Sequence, residues 1–158
     1  MSSSTYAIAI GSNRCGRHGG PVAEVRAAVA ALDGVRAVAP VMASAPLGPS
    51  LRRYANTVAI IESALGPAAL LDALKAIERR FGRRRGRRWG SRVIDLDIIL
   101  WSGGCWRSPG LVVPHLAFRE RAFVLRPLAA IAAGWRDPVS GRSVRQLQQM
   151  VDHGRRRA

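Results

Sequence analysis

The sequence predicts an α+β fold in which helices flank an antiparallel sheet as α/β/α layers. Strand-like apolar runs alternate with segments whose apolar residues recur at helical spacing. Their order is strand, helix, two strands, helix, strand, which is the β-α-β-β-α-β order of a ferredoxin-like core. The connection between the second and third strands is short, as antiparallel neighbours allow.

The first elements are bounded by glycine and proline. Residues 6–10 form a short apolar strand that ends at the turn signal of residues 11–13. Pro21 opens a helix as a first-turn proline, and Gly34 ends it. An extended stretch over residues 35–45 follows. Its core candidates are apolar: Val38, Val41 and Met42.

The later elements are read in the same way. Residues 54–61 form a second clear strand, and the helix that starts at Gly66-Pro67 ends at Gly82. Residues 93–101 form a buried strand rich in branched side chains. Residues 118–133 are predicted to be partly helical, and residues 144–151 to form a final short helix.

Length and composition predict a single domain over residues 1–158, with a mobile basic tail at 152–158. A hydrophobic content of 48% argues against disorder. No apolar run approaches a membrane-spanning length, and the first residues lack the pattern of a signal peptide. We therefore expect a cytoplasmic protein without a membrane partner. The sequence shows no long exposed apolar stripe, which favours a monomer.

The net charge of +15 makes nucleic acid a candidate partner. Much of this charge is clustered, because residues 79–92 contain eight arginines and no acid. A nucleic-acid-binding protein would not explain the carboxylate pair that follows this cluster, since carboxylates without a metal repel phosphate. The sequence therefore argues against nucleic acid as the partner.

The most informative segment is Arg-Arg-Trp-Gly-Ser-Arg-Val-Ile-Asp-Leu-Asp-Ile-Ile-Leu-Trp (87–101). Because side chains alternate along a strand, Asp95 and Asp97 point to one face and Leu96 to the other. Two unpaired carboxylates in an apolar strand would repel each other and lose hydration. Mg²⁺ removes this conflict, since it binds one or two carboxylates together with phosphate oxygens and waters. With phosphate-binding guanidinium groups beside it, the pair predicts a site for phosphoryl transfer.

Two further side chains near this segment have open interpretations. Trp89 either anchors its loop or covers a planar ligand. His115 has a structural alternative, but Arg119 and Arg121 nearby should lower the pKa of its imidazole and favour the neutral form. A neutral imidazole still donates one hydrogen bond to a phosphate oxygen.

The chain resembles the 6-hydroxymethyl-7,8-dihydropterin pyrophosphokinase family of folate biosynthesis. Three blocks carry the resemblance: Arg-Trp-Gly-Ser-Arg-Val-Ile-Asp-Leu-Asp-Ile-Ile-Leu (88–100), Val-Pro-His (113–115) and Arg-Ala-Phe-Val-Leu-Arg-Pro-Leu (121–128). Three shorter ones are similar to the same family: Ala-Ile-Gly-Ser-Asn (9–13), Pro-Leu-Gly-Pro (46–49) and Tyr-Ala-Asn (54–56). The similarity covers nearly the whole chain in order and spacing.

The resemblance implies transfer of pyrophosphate from ATP, the co-substrate, to the pterin, leaving AMP. It implies that Asp95 and Asp97 hold two Mg²⁺ ions and that they are catalytic together with Arg83 and Arg92. The implied ATP-binding residues are Arg83, Arg92, Ile98, His115 and Arg121. The implied pterin-binding residues are Leu47, Tyr54, Asn56, Trp89 and Phe123.

Three residues depart from the family pattern on the nucleotide side: Gly110, Val112 and Leu116. These departures leave open a second interpretation, a catalytically weak or repurposed relative that binds pterin or nucleotide. A basic nucleic-acid-binding protein is the third interpretation. For Tyr54 and Phe123 taken alone, ordinary core packing is the simpler interpretation.

Overall fold

The computed structural model describes residues 2–44, 54–82 and 93–157. Its strands are β1 (Ser4–Ser12), β2 (Val35–Val38), β3 (Met42–Ser44), β4 (Tyr54–Ser63), β5 (Asp95–Trp101), β6 (Trp106–Ser108) and β7 (Leu111–Val113). Its α-helices are α1 (Pro21–Ala31), α2 (Pro67–Arg80), α3 (Ala122–Ala132) and α4 (Val144–Arg157). Within these ranges, no helix has the length and apolar character needed to cross a membrane.

The first five strands form one sheet in the order β2-β4-β1-β5, and β3 also pairs with β4. All of its pairings are antiparallel. When β2 and β3 are counted as one interrupted edge strand, this is the order of a ferredoxin-like core. The predicted fold class is therefore confirmed.

Helices cover both faces of the sheet, as the layered prediction requires. On one face, α1 and α2 pack against buried residues such as Ile8 and Leu96. On the other face, α3 and α4 pack against residues such as Val58 and Ile99. Burial of each aliphatic side chain of this size stabilises the layers by about 1.5–3 kcal/mol.

Proline and glycine set the helix boundaries that the sequence indicated. Pro21 and Pro67 occupy the first turns of α1 and α2, where the missing N–H would have no helical partner. Gly34 follows α1 with a φ of 72°, and a Cβ there would lie 2.1 Å from the carbonyl oxygen of Glu62. Both conformation and space therefore require glycine at this turn.

The interrupted edge strand differs from the prediction. Val38 and Met42, predicted as core residues, are exposed and belong to neither buried cluster, whereas Val41 packs partly against the core. In the break between β2 and β3, the Thr57 hydroxyl donates a hydrogen bond to the Ala39 carbonyl oxygen at 2.7 Å. The prediction was wrong because an apolar residue at the margin of a sheet is covered less than one at its centre.

The C-terminal third begins with the antiparallel hairpin of β6 and β7. A cis peptide bond joins Val113 to Pro114, and a 3₁₀ turn at Phe118–Glu120 leads into α3. Helix α4 continues past the predicted end at residue 151, so the predicted tail 152–158 is helical as far as Arg157.

The loop between β1 and α1 is fastened by Glu24, which is fully buried. Its carboxylate accepts a hydrogen bond from the backbone N–H of His18 at 2.6 Å and pairs with His18 Nδ1 at 2.9 Å. The His18 ring packs on Phe81 at the end of α2, with 4.9 Å between ring centroids. A Cβ on Gly16 would lie 2.6 Å from atoms of both Glu24 and Val93. The loop between β1 and α1 therefore lies against Phe81 and Val93, which are near the two ends of the arginine-rich segment.

Candidate active site

A cavity of about 580 Å³ opens where three strands and one helix meet. It is lined from the end of β1, the start of β4, the start of β5 and the first turn of α3. Of the predicted site residues, the structure brings six together here: Tyr54, Asn56, Asp95, Asp97, Arg121 and Phe123. Four other predicted residues lie outside the described ranges: Leu47, Arg83, Trp89 and Arg92.

Asp95 and Asp97 are exposed, and Leu96 between them is buried under α1 and α2. The predicted alternation of faces is therefore confirmed. In β1, the residues opposite the two aspartates are Gly11 and Ala9, which are both small.

The chemistry of this pair fits magnesium. Within the described residues, no group of three or more His, Cys, Asp or Glu could hold a metal ion. Two carboxylates are nevertheless sufficient for Mg²⁺, which completes its octahedral shell with phosphate oxygens and waters.

Asn56 lies in a row of paired residues that crosses the sheet. Gly11 of β1 pairs with Asn56 on one side and with Asp95 on the other. A Cβ on Gly11 would lie 2.9 Å from Asn56 Oδ1. The missing side chain at Gly11 therefore leaves space for the amide, about two strand spacings (~10 Å) from the first aspartate.

Two aromatic rings at the cavity are more exposed than core packing would leave them. Tyr54 is 40% exposed and Phe123 is 45% exposed. The interpretation of these two residues as ordinary core is therefore wrong. The Arg121 guanidinium carbon lies 5.6 Å from the centroid of the Phe123 ring. One wall of the cavity thus combines a flat apolar surface with a cation.

His115 does not line this cavity, but its backbone is attached to β5 through a hydrogen bond from its N–H to the Ile99 carbonyl oxygen at 3.0 Å. Its Nδ1 accepts a hydrogen bond from the Ala117 N–H at 3.1 Å. In the neutral ring, Nε2 therefore carries the proton and can donate.

The expected direction of the His115 pKa shift is confirmed, and Arg121 is one of its causes, but burial is the largest cause. Burial lowers the pKa most, Asp97 raises it, and Arg121 lowers it. Arg119 is not among these causes, and its guanidinium is hydrogen-bonded to Asp137.

Ile98 is not brought to the cavity. Its side chain is 2% exposed and belongs to the core under α1 and α2, on the opposite face from Asp97. This follows from the same alternation that exposes the aspartates. Any nucleotide contact at Ile98 would involve its backbone atoms.

Two residues that hold the site were missed by sequence reasoning. Gly11 could have been found, because a glycine inside a strand often marks a close approach. Glu78 of α2 accepts a hydrogen bond from the Leu96 N–H, between the two aspartates, at 3.0 Å through Oε2. Glu78 could have been found from the sequence as an acidic residue just before a run of arginines.

The three departures from the family pattern lie elsewhere. Val112 and Leu116 line a second cavity of about 460 Å³. Gly110 has a φ of 76° in the turn between β6 and β7, a conformation that favours glycine over a basic residue. None of the three lines the cavity that contains the carboxylate pair.

Comparison with known proteins identifies the family. Residues 7–133 match the model of the 7,8-dihydro-6-hydroxymethylpterin-pyrophosphokinase (HPPK) family. The chain is 42% identical over 146 residues to the 2-amino-4-hydroxy-6-hydroxymethyldihydropteridine pyrophosphokinase of Pseudomonas aeruginosa, covering 89% of this chain and 87% of that one. It is 38% identical over 155 residues to the protein of the same name from Haemophilus influenzae, covering 94% of each.

Among solved structures, the wild-type HPPK-DHPS of Plasmodium falciparum, crystallised with STZ-DHP, has a TM-score of 0.73 at 10% sequence identity. The likeness covers 94% of this chain but 43% of that one, and at this identity it supports the fold alone. The family match and the two bacterial relatives carry the assignment: this chain is a member of the 7,8-dihydro-6-hydroxymethylpterin-pyrophosphokinase family.

Proposed function

We propose that this chain transfers the pyrophosphoryl group of ATP to the hydroxymethyl oxygen of 6-hydroxymethyl-7,8-dihydropterin, a step of folate biosynthesis. Family membership and the names of the bacterial relatives support this reaction. The structural observation that supports it most is a shared cavity. A carboxylate pair, a side-chain amide and two exposed aromatic rings all open into the same 580 Å³.

Asp95 and Asp97 would hold two Mg²⁺ ions together with the phosphates of ATP. Bound Mg²⁺ supplies neutralisation of the charge on phosphate oxygens during the transfer. The buried side chain of Leu96 and the hydrogen bond from its N–H to Glu78 keep both carboxylates on the cavity side of β5.

The pterin ring would occupy the part of the cavity between Tyr54 and Phe123. Both aromatic residues are partly exposed, so a flat heterocycle could pack on their rings. The Asn56 amide, with one acceptor oxygen and two donor hydrogens, matches the donor-acceptor edge of a pterin. Gly11 supports this assignment because it leaves the amide room.

Arg121 and His115 would bind the phosphates. Arg121 lines the cavity, and its planar guanidinium matches the geometry of phosphate oxygens. His115 offers Nε2–H as a neutral donor, because its Nδ1 already accepts from the Ala117 N–H. Arg83 and Arg92 remain predictions from the family resemblance.

The reaction is a single displacement without a covalent enzyme intermediate. The pterin hydroxyl oxygen attacks the β-phosphorus in line, and a new O–P bond forms as the hydroxyl loses its proton. The bond from the β-phosphorus to the oxygen that bridges it to the α-phosphorus breaks, and AMP leaves with that oxygen. The contribution of the protein is mainly alignment and charge neutralisation.

The test is release of AMP from ATP, with Mg²⁺, in the presence and absence of 6-hydroxymethyl-7,8-dihydropterin. We expect AMP to form with the pterin present and the Asp97→Asn variant to form almost none. Binding of both substrates without AMP would instead indicate a repurposed relative. DNA binding that weakens steeply with salt, without ATP consumption, would indicate the nucleic-acid alternative.

A further inference from the structure

A buried ion pair lies behind the segment that carries His115 and Arg121. Asp137 is 0% exposed and accepts two hydrogen bonds from Arg119, from Nε at 2.5 Å and from Nη2 at 2.8 Å. The same carboxylate accepts from the Ser140 hydroxyl at 2.7 Å and from the Val139 N–H at 3.1 Å. A buried carboxylate with four donors and a bidentate guanidinium holds its partner in one geometry.

The charge state of Asp137 supports a permanent pair. Burial alone would raise the pKa of this carboxyl, but the hydrogen bonds from Arg119, Ser140 and Val139 outweigh it and hold the pKa well below its ordinary range. The carboxylate is therefore ionised at neutral pH.

Through Arg119, this ion pair holds the short segment between His115 and Arg121 in place. It lies in the 3₁₀ turn Phe118–Glu120, and its guanidinium carbon lies 4.8 Å from the centroid of the buried Phe118 ring. Upstream, the segment is attached to β5 through the backbone N–H of His115. Downstream, the backbone N–H of Arg121 donates to the Phe118 carbonyl oxygen at 3.3 Å.

Asp137 lies outside the part of the chain that the family match covers, which ends at residue 133. The loop that carries it is closed by hydrogen bonds between Asp137 and Arg142 and between Gly141 and Asp137, each 2.8 Å long. This hydrogen-bonded loop therefore supports a segment whose residues are proposed to bind the nucleotide.

We infer that Asp137 is a positioning residue: through Arg119 it fixes the segment from which His115 and Arg121 reach the ATP phosphates. The inference rests on the proposed function. It predicts that loss of the carboxylate weakens nucleotide binding more than pterin binding. Asn56 and Tyr54 of the pterin pocket belong to β4, and Phe123 alone follows this segment, in the first turn of α3.

The experiment compares Asp137→Asn with wild type, and uses Asp152→Asn as a matched control. Asp152 forms an exposed ion pair with Arg126 at 3.4 Å, which joins α4 to α3 outside the cavity. Calorimetry measures the Kd of a non-hydrolysable ATP analogue with Mg²⁺ and, separately, the Kd of the pterin. NMR measures hydrogen exchange of the Ala117 amide, which reports the bond to His115 Nδ1.

For Asp137→Asn we expect the Kd of the ATP analogue to rise about tenfold or more, since one charged hydrogen bond to phosphate is worth at least that factor. The Kd of the pterin should rise by a smaller factor than that of the ATP analogue, and exchange of the Ala117 amide should accelerate. Asp152→Asn should change none of these. If Asp137→Asn does not fold, Ser140→Ala removes one of the four hydrogen bonds, and it should give a smaller change in the same direction.

An unchanged Kd for the ATP analogue, or an unchanged exchange rate at Ala117, in a folded variant overturns the inference. A lower melting temperature with neither change would show that the pair is merely structural. If the wild type forms no AMP but binds the ATP analogue, the proposed function fails, and the comparison of Kd values still decides the role of Asp137.

Discussion

Gly11→Ala tests the pterin pocket with a single added methyl group. Gly11 lies at the centre of the row that joins Asn56 to Asp95, and the new methyl would lie 2.9 Å from Asn56 Oδ1. The nearest backbone atom, the Ala55 carbonyl oxygen, is 3.9 Å away, which is an ordinary contact. The clash is therefore confined to the end of one side chain, and the Asn56 amide must rotate away.

The expected effects on stability and binding differ in size. Alanine in a compatible strand conformation stabilises by about 0.4–1 kcal/mol through the unfolded state. Moving Asn56 off its preferred rotamer costs about 0.5–1.5 kcal/mol, so the free energy of unfolding should change by less than about 1 kcal/mol. Misplacing two amide hydrogen bonds of about 1 kcal/mol each should weaken pterin binding by about 2 kcal/mol, which is roughly 30-fold.

The assay is the Kd of the pterin together with the urea midpoint of each protein. Gly134→Ala is the control, because a methyl group there meets nothing within 4 Å. It should leave the Kd of the pterin unchanged and raise the free energy of unfolding by at most about 1 kcal/mol. Wild-type pterin affinity in Gly11→Ala would refute the assignment of Asn56 to the pterin edge. A large loss of stability would refute the view that the clash is local.

Three further predictions concern single side chains. Asp97→Asn should reduce AMP formation at least about 100-fold, because a metal ligand supports several kcal/mol of charge stabilisation. The melting temperature of this variant should barely change, since Asp97 is exposed. Near-normal turnover would contradict the metal assignment. Burial lowers the pKa of His115 below 6.5, so its contribution to stability is present above pH 6.5 and is lost as pH falls through the folded value. His115→Gln should therefore reduce the loss of stability at acid pH, measured as the free energy of unfolding in urea at each pH. The same loss in the variant as in the wild type would contradict this cause. Tyr6→Phe removes a 2.6 Å hydrogen bond to the Leu65 carbonyl oxygen and should cost about 1 kcal/mol. Burial raises the pKa of Tyr6 above 10.0, so the wild type should lose the stability that this group contributes as pH rises through its folded pKa. The Tyr6→Phe variant should show no such loss. Parallel profiles of stability against pH for the two proteins on the alkaline side would contradict this cause.

Local patterns in the sequence predicted much of this fold. Strand alternation placed Asp95 and Asp97 on one face, and it would also have placed Ile98 in the core. Prolines and a glycine at positive φ fixed the starts of α1 and α2 and the turn before β2. Each of these features depends on interactions within a few residues, which periodicity captures.

Other features depend on partners that are distant in the sequence. Arg119 was expected to act on His115, but it pairs with Asp137, 18 residues away. Val38 was expected in the core, although its exposure depends on which strand of the sheet lies at the margin. These outcomes are set by tertiary packing, which overrides local preference.

The outer margin of β5 has a consequence beyond catalysis. A bare terminal strand offers unpaired N–H and C=O groups to other chains and invites aggregation. In this protein the Leu96 N–H is occupied by Glu78, and the Ile99 carbonyl oxygen is occupied by the His115 N–H. The contacts that steady the aspartates therefore also shield an apolar strand from intermolecular pairing, so loss of Glu78 should endanger solubility as well as turnover.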